Sequence, residues 1–306
     1  MVMQQDAPQI PHRVRTPPPT PRASRRWVVV LLALILWQVA GPAAGAVWWV
    51  FDEGPLMQHP RDVLTEPSPV GAVRVYGDHA GQDAGRAARE TVDDLVAAGG
   101  LARDVVVVAL PTGSGWVDPG QVEAVEDWAG GDVATVSVRY AHTPSAVAYL
   151  MRPELAEDSA AALLQEVVDR VAGLPEDRRP DVVVQGQSLG VAAGVAAVGR
   201  VGESGGGAPV AAQLWQGRPG TVDAPAADRC TVDMVNDDDP VAKLHPRLAV
   251  DPLAAVGVLA DLPGSASSTP GTRHSYRPVL PPAECLTLNG NREVHGKYGK
   301  FGQYGQ

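Results

Sequence analysis

The chain has 306 residues, room for one α/β domain of ordinary size plus an N-terminal extension. Ala, Val, Gly and Leu dominate while aromatics make up only 5%, so the core is built of small aliphatic side chains, which suits a buried parallel sheet. The net charge is -10, and five Arg against one Asp precede Trp27, leaving 20 basic and 34 acidic residues, about -14, for the remainder; with no basic stripe interleaved with aromatics, such a surface repels phosphate backbones and excludes nucleic acid as a partner.

Residues 1–26 are rich in Pro, with Pro17, Pro18 and Pro19 in succession, and read as a disordered basic cytoplasmic tail. Residues 27–51 carry no charge. As a helix this stretch would be ~37 Å long, against a hydrocarbon core of ~30 Å. Arg13, Arg15, Arg22, Arg25 and Arg26 lie before it and Asp52 and Glu53 after it, so the positive-inside rule puts the N-terminus in the cytoplasm and the body outside. Trp27, Trp48 and Trp49 sit at its ends, at headgroup level. The expectation is one transmembrane helix contacting membrane lipids. The rival is a cleaved export signal, with Ala44-Gly45-Ala46 as the cleavage site; both place the domain outside the cytoplasm. Residues 52–70 read as a linker.

From Val73 onward strands and helices alternate. A strand over 73–76 precedes a helix whose apolar face holds Ala88, Val92, Leu95 and Val96, ended by Gly99-Gly100. Residues 105–110 are an unbroken apolar run, as expected of a strand covered on both faces. A loop over 111–116, a short helix over 121–128 and a strand over 133–140 follow. A longer helix then buries Leu163, Leu164, Val167, Val168 and Val171. The pattern continues with a strand over 182–185, a small-residue helix over 189–198, and strands over 210–215 and 231–235. Such alternation implies an α/β domain over 71–296: a mostly parallel sheet with helices on both faces. Periodicity fades beyond Pro240, and residues 297–306, repeating Lys/Gln-aromatic-Gly, read as a flexible tail.

Gly186-Gln187-Ser188-Leu189-Gly190 matches GxSxG, and so does Gly202-Glu203-Ser204-Gly205-Gly206. Context separates them. Ser188 follows a Val-rich strand and opens a helix, as a nucleophile elbow requires, whereas Ser204 falls in a glycine-rich loop. The sharp turn needs small neighbours, which Gly186, Gly190 and Gly194 supply. Ser188 is therefore the candidate nucleophile.

A hydroxyl attacks poorly unless a base removes its proton, and with this motif the acid and then the histidine follow the serine in chain order. Asp239 stands just beyond the strand over 231–235 and is the preferred acid, with Asp237 and Asp238 as competitors. Three consecutive Asp lack the alternating spacing of a calcium loop, and neither a metal nor a cofactor is called for. His245, His274 and His295 follow the acid; His295, between an expected last strand and a glycine, is preferred to His274. An oxyanion hole needs backbone N–H donors. Leu189, after the nucleophile, supplies one, and the loop at Thr112, Gly113 and Ser114 supplies the other. Outside the cytoplasm Cys230 and Cys285, the only cysteines, are able to pair as a disulfide.

Three further segments are more specific than GxSxG: residues 108–119 (VALPTGSGWVDP), residues 131–136 (GDVATV) and residues 174–180 (LPEDRRP). On these the chain resembles a bacterial membrane-associated α/β-hydrolase family over about residues 73–298. The resemblance implies that fold and a site centred on Ser188, with Asp239-Pro240-Val241 at the acid position and His295-Gly296 near the histidine motif. The chain departs from the family at Gln187, where Glu is usual, at Lys297, where a second His is expected, and in having one hydrophobic segment in place of several. The expectation is a membrane-anchored extracytoplasmic serine hydrolase, an esterase or lipase acting on an acyl-containing small molecule or lipid. The alternatives are a catalytically silent scaffold of the same fold and a serine peptidase or amidase.

Overall fold

A computed structural model of the chain describes residues 63–112, 115–140, 153–205, 207–225, 228–245, 248, 251–262, 264–266 and 268–287. The basic tail, the uncharged stretch at 27–51 and the C-terminal tail with His295 lie outside these. Among the described residues no helix is long and apolar enough to cross a membrane.

Six strands form one sheet: β1 (Val73–Asp78), β2 (Val105–Leu110), β3 (Val133–Arg139), β4 (Asp181–Gln187), β5 (Val210–Gln216) and β6 (Thr231–Met234). Their order across the sheet is β1-β3-β2-β4-β5-β6, and every pairing is parallel. Parallel neighbours need crossovers, which the helices provide: α1 (Ala84–Ala97), α2 (Pro119–Trp128), α3 (Pro153–Ala172) and α4 (Leu189–Ser204). A fifth helix, α5 (Pro252–Asp261), arises in the stretch where periodicity fades.

The two sheet faces are covered unequally. Val106, Val108, Val136, Val182 and Val184 point to one side and pack beneath α1, α3 and α4. Val105, Val107, Val133 and Val183 point to the other, against Val125 of α2 and against Val279 of the C-terminal segment. Burial on both faces explains why the strands read as continuous apolar runs rather than as alternation: all six residues of β2 are buried. Along α1 the inward stripe runs through Ala87, Ala88, Thr91, Val92 and Leu95, while Val96, expected on it, faces solvent.

The folded unit reaches back further than the boundary expected at residue 71. Val63 and Leu64 are buried against Ala109, Val117 and Val122, and Arg74 fastens them. Its guanidinium donates to Glu126 through Nε (2.6 Å) and Nη2 (2.7 Å) and to the Val63 carbonyl through Nη1 (3.0 Å). Cys230 and Cys285 are joined by a disulfide, their Cα atoms 5.7 Å apart. Thr287 adds two hydrogen bonds to the Asp181 carboxylate, so the chain after Val279 is held to the sheet.

Candidate active site

The carboxyl ends of β4, β5 and β6 gather the chemistry. Ser188 leaves β4 with φ 55° and ψ -119° and caps the N-terminus of α4. A left-handed φ is costly for a residue with a side chain, and among the described residues only Ser188 and Arg273 adopt it without being glycine. The turn is tight because α4 folds straight back over the sheet. A Cβ on Gly186 would sit 2.5 Å from the Gly190 carbonyl oxygen, and one on Gly190 would sit 2.2 Å from the Leu110 oxygen. The Ser188 N–H donates to the Gln216 carbonyl of the neighbouring strand (2.9 Å), which fixes the bend. Ser188 itself is only partly buried. The second GxSxG match is different: Ser204 closes α4 rather than lying in a loop, and its hydroxyl donates to the Val201 carbonyl at 2.7 Å.

Asp239 is fully buried just beyond β6 and accepts three hydrogen bonds. The Val241 N–H donates to Oδ1 at 2.7 Å, His274 Nδ1 lies 2.8 Å from Oδ2, and the Tyr276 hydroxyl donates to the same Oδ2. Burial pushes the carboxyl up, but the bonds from His274, Tyr276 and Val241 outweigh it and hold Asp239 below the usual carboxylate range. An ionised carboxylate only accepts, so His274 Nδ1 carries a proton and, in the neutral ring, Nε2 is the free base. Burial first, and then the neighbouring Asp239, push the Tyr276 phenol upward, so it stays protonated and donating.

The imidazole beside Asp239 is thus His274; His295, preferred from the sequence, falls outside the described residues. His274 is reached by an irregular segment held at several points. Its N–H donates to the Ser265 carbonyl (3.2 Å), and the N–H of Arg273 donates to Asp238 Oδ1 (2.7 Å). Asn236 Nδ2 binds the carbonyls of Arg273 and Ser275. Gly217, directly after β5, lies under the His274 and Tyr276 rings: a Cβ there would come within 2.7 Å of His274 and 2.8 Å of Tyr276. Since the Gln216 carbonyl accepts from Ser188, the histidine stands against the residue that follows β5, the strand beside the one that carries the elbow. No strand precedes His274, which lies in the turn between Thr272 and Ser275, and this hid it from strand-based reading; the cue was His-x-Tyr, an imidazole two residues from an aromatic donor.

The oxyanion donors divide. Leu189 opens α4, where the first N–H groups have no intrahelical acceptor. The N–H of Thr112 is committed to the Trp116 carbonyl at 3.0 Å, which removes Thr112 as a backbone donor. Gly113 and Ser114 lie outside the described residues. Among the described residues no cluster of three or more His, Cys, Asp or Glu is placed to hold a metal ion.

A six-stranded parallel sheet with a strained serine between strand and helix, and an Asp–His pair at the same edge, defines the class: an α/β protein with a nucleophile elbow. Residues 73–249 match the model of an alpha/beta-hydrolase family, and the chain belongs to that family. The matched region holds Ser188 and Asp239 and ends before His274. No curated protein and no solved structure matches the chain.

Proposed function

We propose that this protein is a serine hydrolase acting on carboxylic esters through an acyl-enzyme, with Ser188 as nucleophile, His274 as general base and then acid, and Asp239 as the group that orients His274. Ser188 Oγ attacks the ester carbonyl and passes its proton to His274 Nε2. The developing oxyanion is met by the Leu189 N–H and by a donor from the loop after β2. As the carbonyl re-forms, the bond to the leaving oxygen breaks and His274 protonates that oxygen. Water, deprotonated by His274, then repeats the sequence and frees the acid and Ser188.

One observation carries the reading: the left-handed backbone at a partly buried Ser188. Strain of this kind at a strand-to-helix turn has no packing role to play, since glycine would adopt it without cost. The test is hydrolysis of p-nitrophenyl acetate by the full chain, with Ser188→Ala expected to abolish it; an equal rate in the variant would show the serine to be incidental.

Residues 27–51 hold the domain on the outer side of a membrane, as supported by the length of the uncharged stretch and the arginines before it.

A further inference from the structure

Beneath the loop that leaves β2, a cavity of ≈20 Å³ opens between the ends of β2 and β4. Its lining includes four glutamines, Gln121, Gln185, Gln187 and Gln216, together with Thr112 and Trp116. Two of the carboxamides have partners. Gln121 grips Val279 at both ends, donating from Nε2 to its carbonyl (2.8 Å) and accepting its N–H on Oε1 (2.9 Å), and Gln216 Nε2 donates to the Arg277 carbonyl (2.8 Å). In the other two the oxygen has none: Oε1 of Gln185 and Oε1 of Gln187 are buried without a hydrogen-bond partner. Gln185 as a whole is only 4% exposed. Leaving a buried carbonyl oxygen unpaired is costly, and two at one cavity, on alternate residues of the strand that presents Ser188, point to a polar group that seats there.

We infer that this cavity receives a hydroxyl on the acyl portion of the substrate, so that the enzyme favours esters of short hydroxy acids over those of plain aliphatic acids. The inference rests on the serine-hydrolase reading. Size selects a single small group, because room for one water-sized moiety needs only ~10–15 Å³ and an extended hydrocarbon chain needs many times that. Chemistry selects a hydroxyl, which donates and accepts and therefore suits a carboxamide in either orientation. Position selects the acyl side. Strand β4 stands between β5 and β2. His274, which protonates the leaving oxygen, lies against Gly217 at the end of β5, so the leaving group departs on that side and the acyl group is left facing β2 and the cavity.

The experiment compares p-nitrophenyl glycolate with p-nitrophenyl propionate, whose acyl groups differ by a hydroxyl in place of a methyl. The expected result for the full chain is a glycolate-to-propionate ratio of kcat/KM at least ~10-fold above the ratio of the two alkaline hydrolysis rates. Gln185→Leu and Gln187→Leu, which keep the volume and remove the acceptor, should each bring the ratio down toward the chemical one. A wild-type ratio equal to the chemical ratio overturns the inference, even if neither variant folds. So does an elevated ratio that both variants retain, since the carboxamides would then hold no more than a structural water. Fluorophosphonate labelling separates the two readings: Ser188 labelled with a flat ratio refutes this inference alone, whereas an unlabelled Ser188 with neither ester hydrolysed refutes the serine-hydrolase reading and this one with it.

Discussion

Asp239 receives two side-chain donors on one oxygen, and the phenol competes with the imidazole for it. On the proposed mechanism Tyr276 is a positioning residue: its hydroxyl shares Oδ2 of Asp239 with His274, and its ring meets His274 edge-on with centroids 5.8 Å apart. The sign of its effect on stability follows from Asp239. A carboxyl held below its ordinary value contributes stability that is present above the unfolded pKa of ~3.9 and is lost as pH falls through the folded value. Tyr276→Phe removes one of the bonds that lower it, so the gap between folded and unfolded values narrows and the variant, less stable at neutral pH, should lose less further stability as pH falls than the wild type does; urea midpoints across the acid range measure this, and midpoints that fall in parallel would contradict it. In the same variant Oδ2 of Asp239 keeps a single side-chain donor and His274 loses the ring that meets it edge-on, so kcat for ester hydrolysis should fall several-fold with KM little changed. A phenol that only stabilises the fold would leave kcat of the folded enzyme in place.

Among the elements, the turn into α4 shows how unequal the glycines of one helix are. Gly190 has no room for a side chain because the Leu110 backbone oxygen stands 2.2 Å from where its Cβ would be. Gly202, three turns further along the same helix, meets nothing within 4 Å. Gly190→Ala should destabilise the domain by ~1–3 kcal/mol, while Gly202→Ala should stabilise it by ~0.5–1 kcal/mol through helix propensity. Thermal unfolding of the pair checks both signs, and equal effects would mean that the elbow is not tightly packed. The strands and the elbow were legible in the sequence because burial on both faces leaves unbroken Val runs and because close packing demands Gly186, Gly190 and Gly194. Asp239 was legible from its place after β6. His274 was not, because its segment is held by side-chain bonds from Asn236 and Asp238 and by Gly217 rather than by a repeating pattern. The commitment of the Thr112 N–H to Trp116 was equally invisible, being a turn contact within a loop.

Across the whole molecule, the part of the site that comes after β5 depends on chain that is largely irregular apart from β6 and α5, and the Cys230–Cys285 bridge ties the two ends of that chain, 55 residues apart. One end precedes β6 and Asp239; the other follows His274 and the Val279 anchor. Closing a loop of this length is worth ~4 kcal/mol in the chain-entropy account. Reduction should therefore lower the unfolding temperature and slow the reaction of Ser188 together. A loss of stability with undiminished reactivity would show that Gln121, Gln216 and Thr287 hold the segment by themselves. The central claim, that Ser188 is activated by His274 held on Asp239, is tested most directly by labelling the full chain with a fluorophosphonate and mapping the modified peptide. Adduct is expected on Ser188 in the wild type and in His295→Ala, and none in His274→Ala; adduct that persists in His274→Ala and disappears in His295→Ala would assign the base to His295 instead.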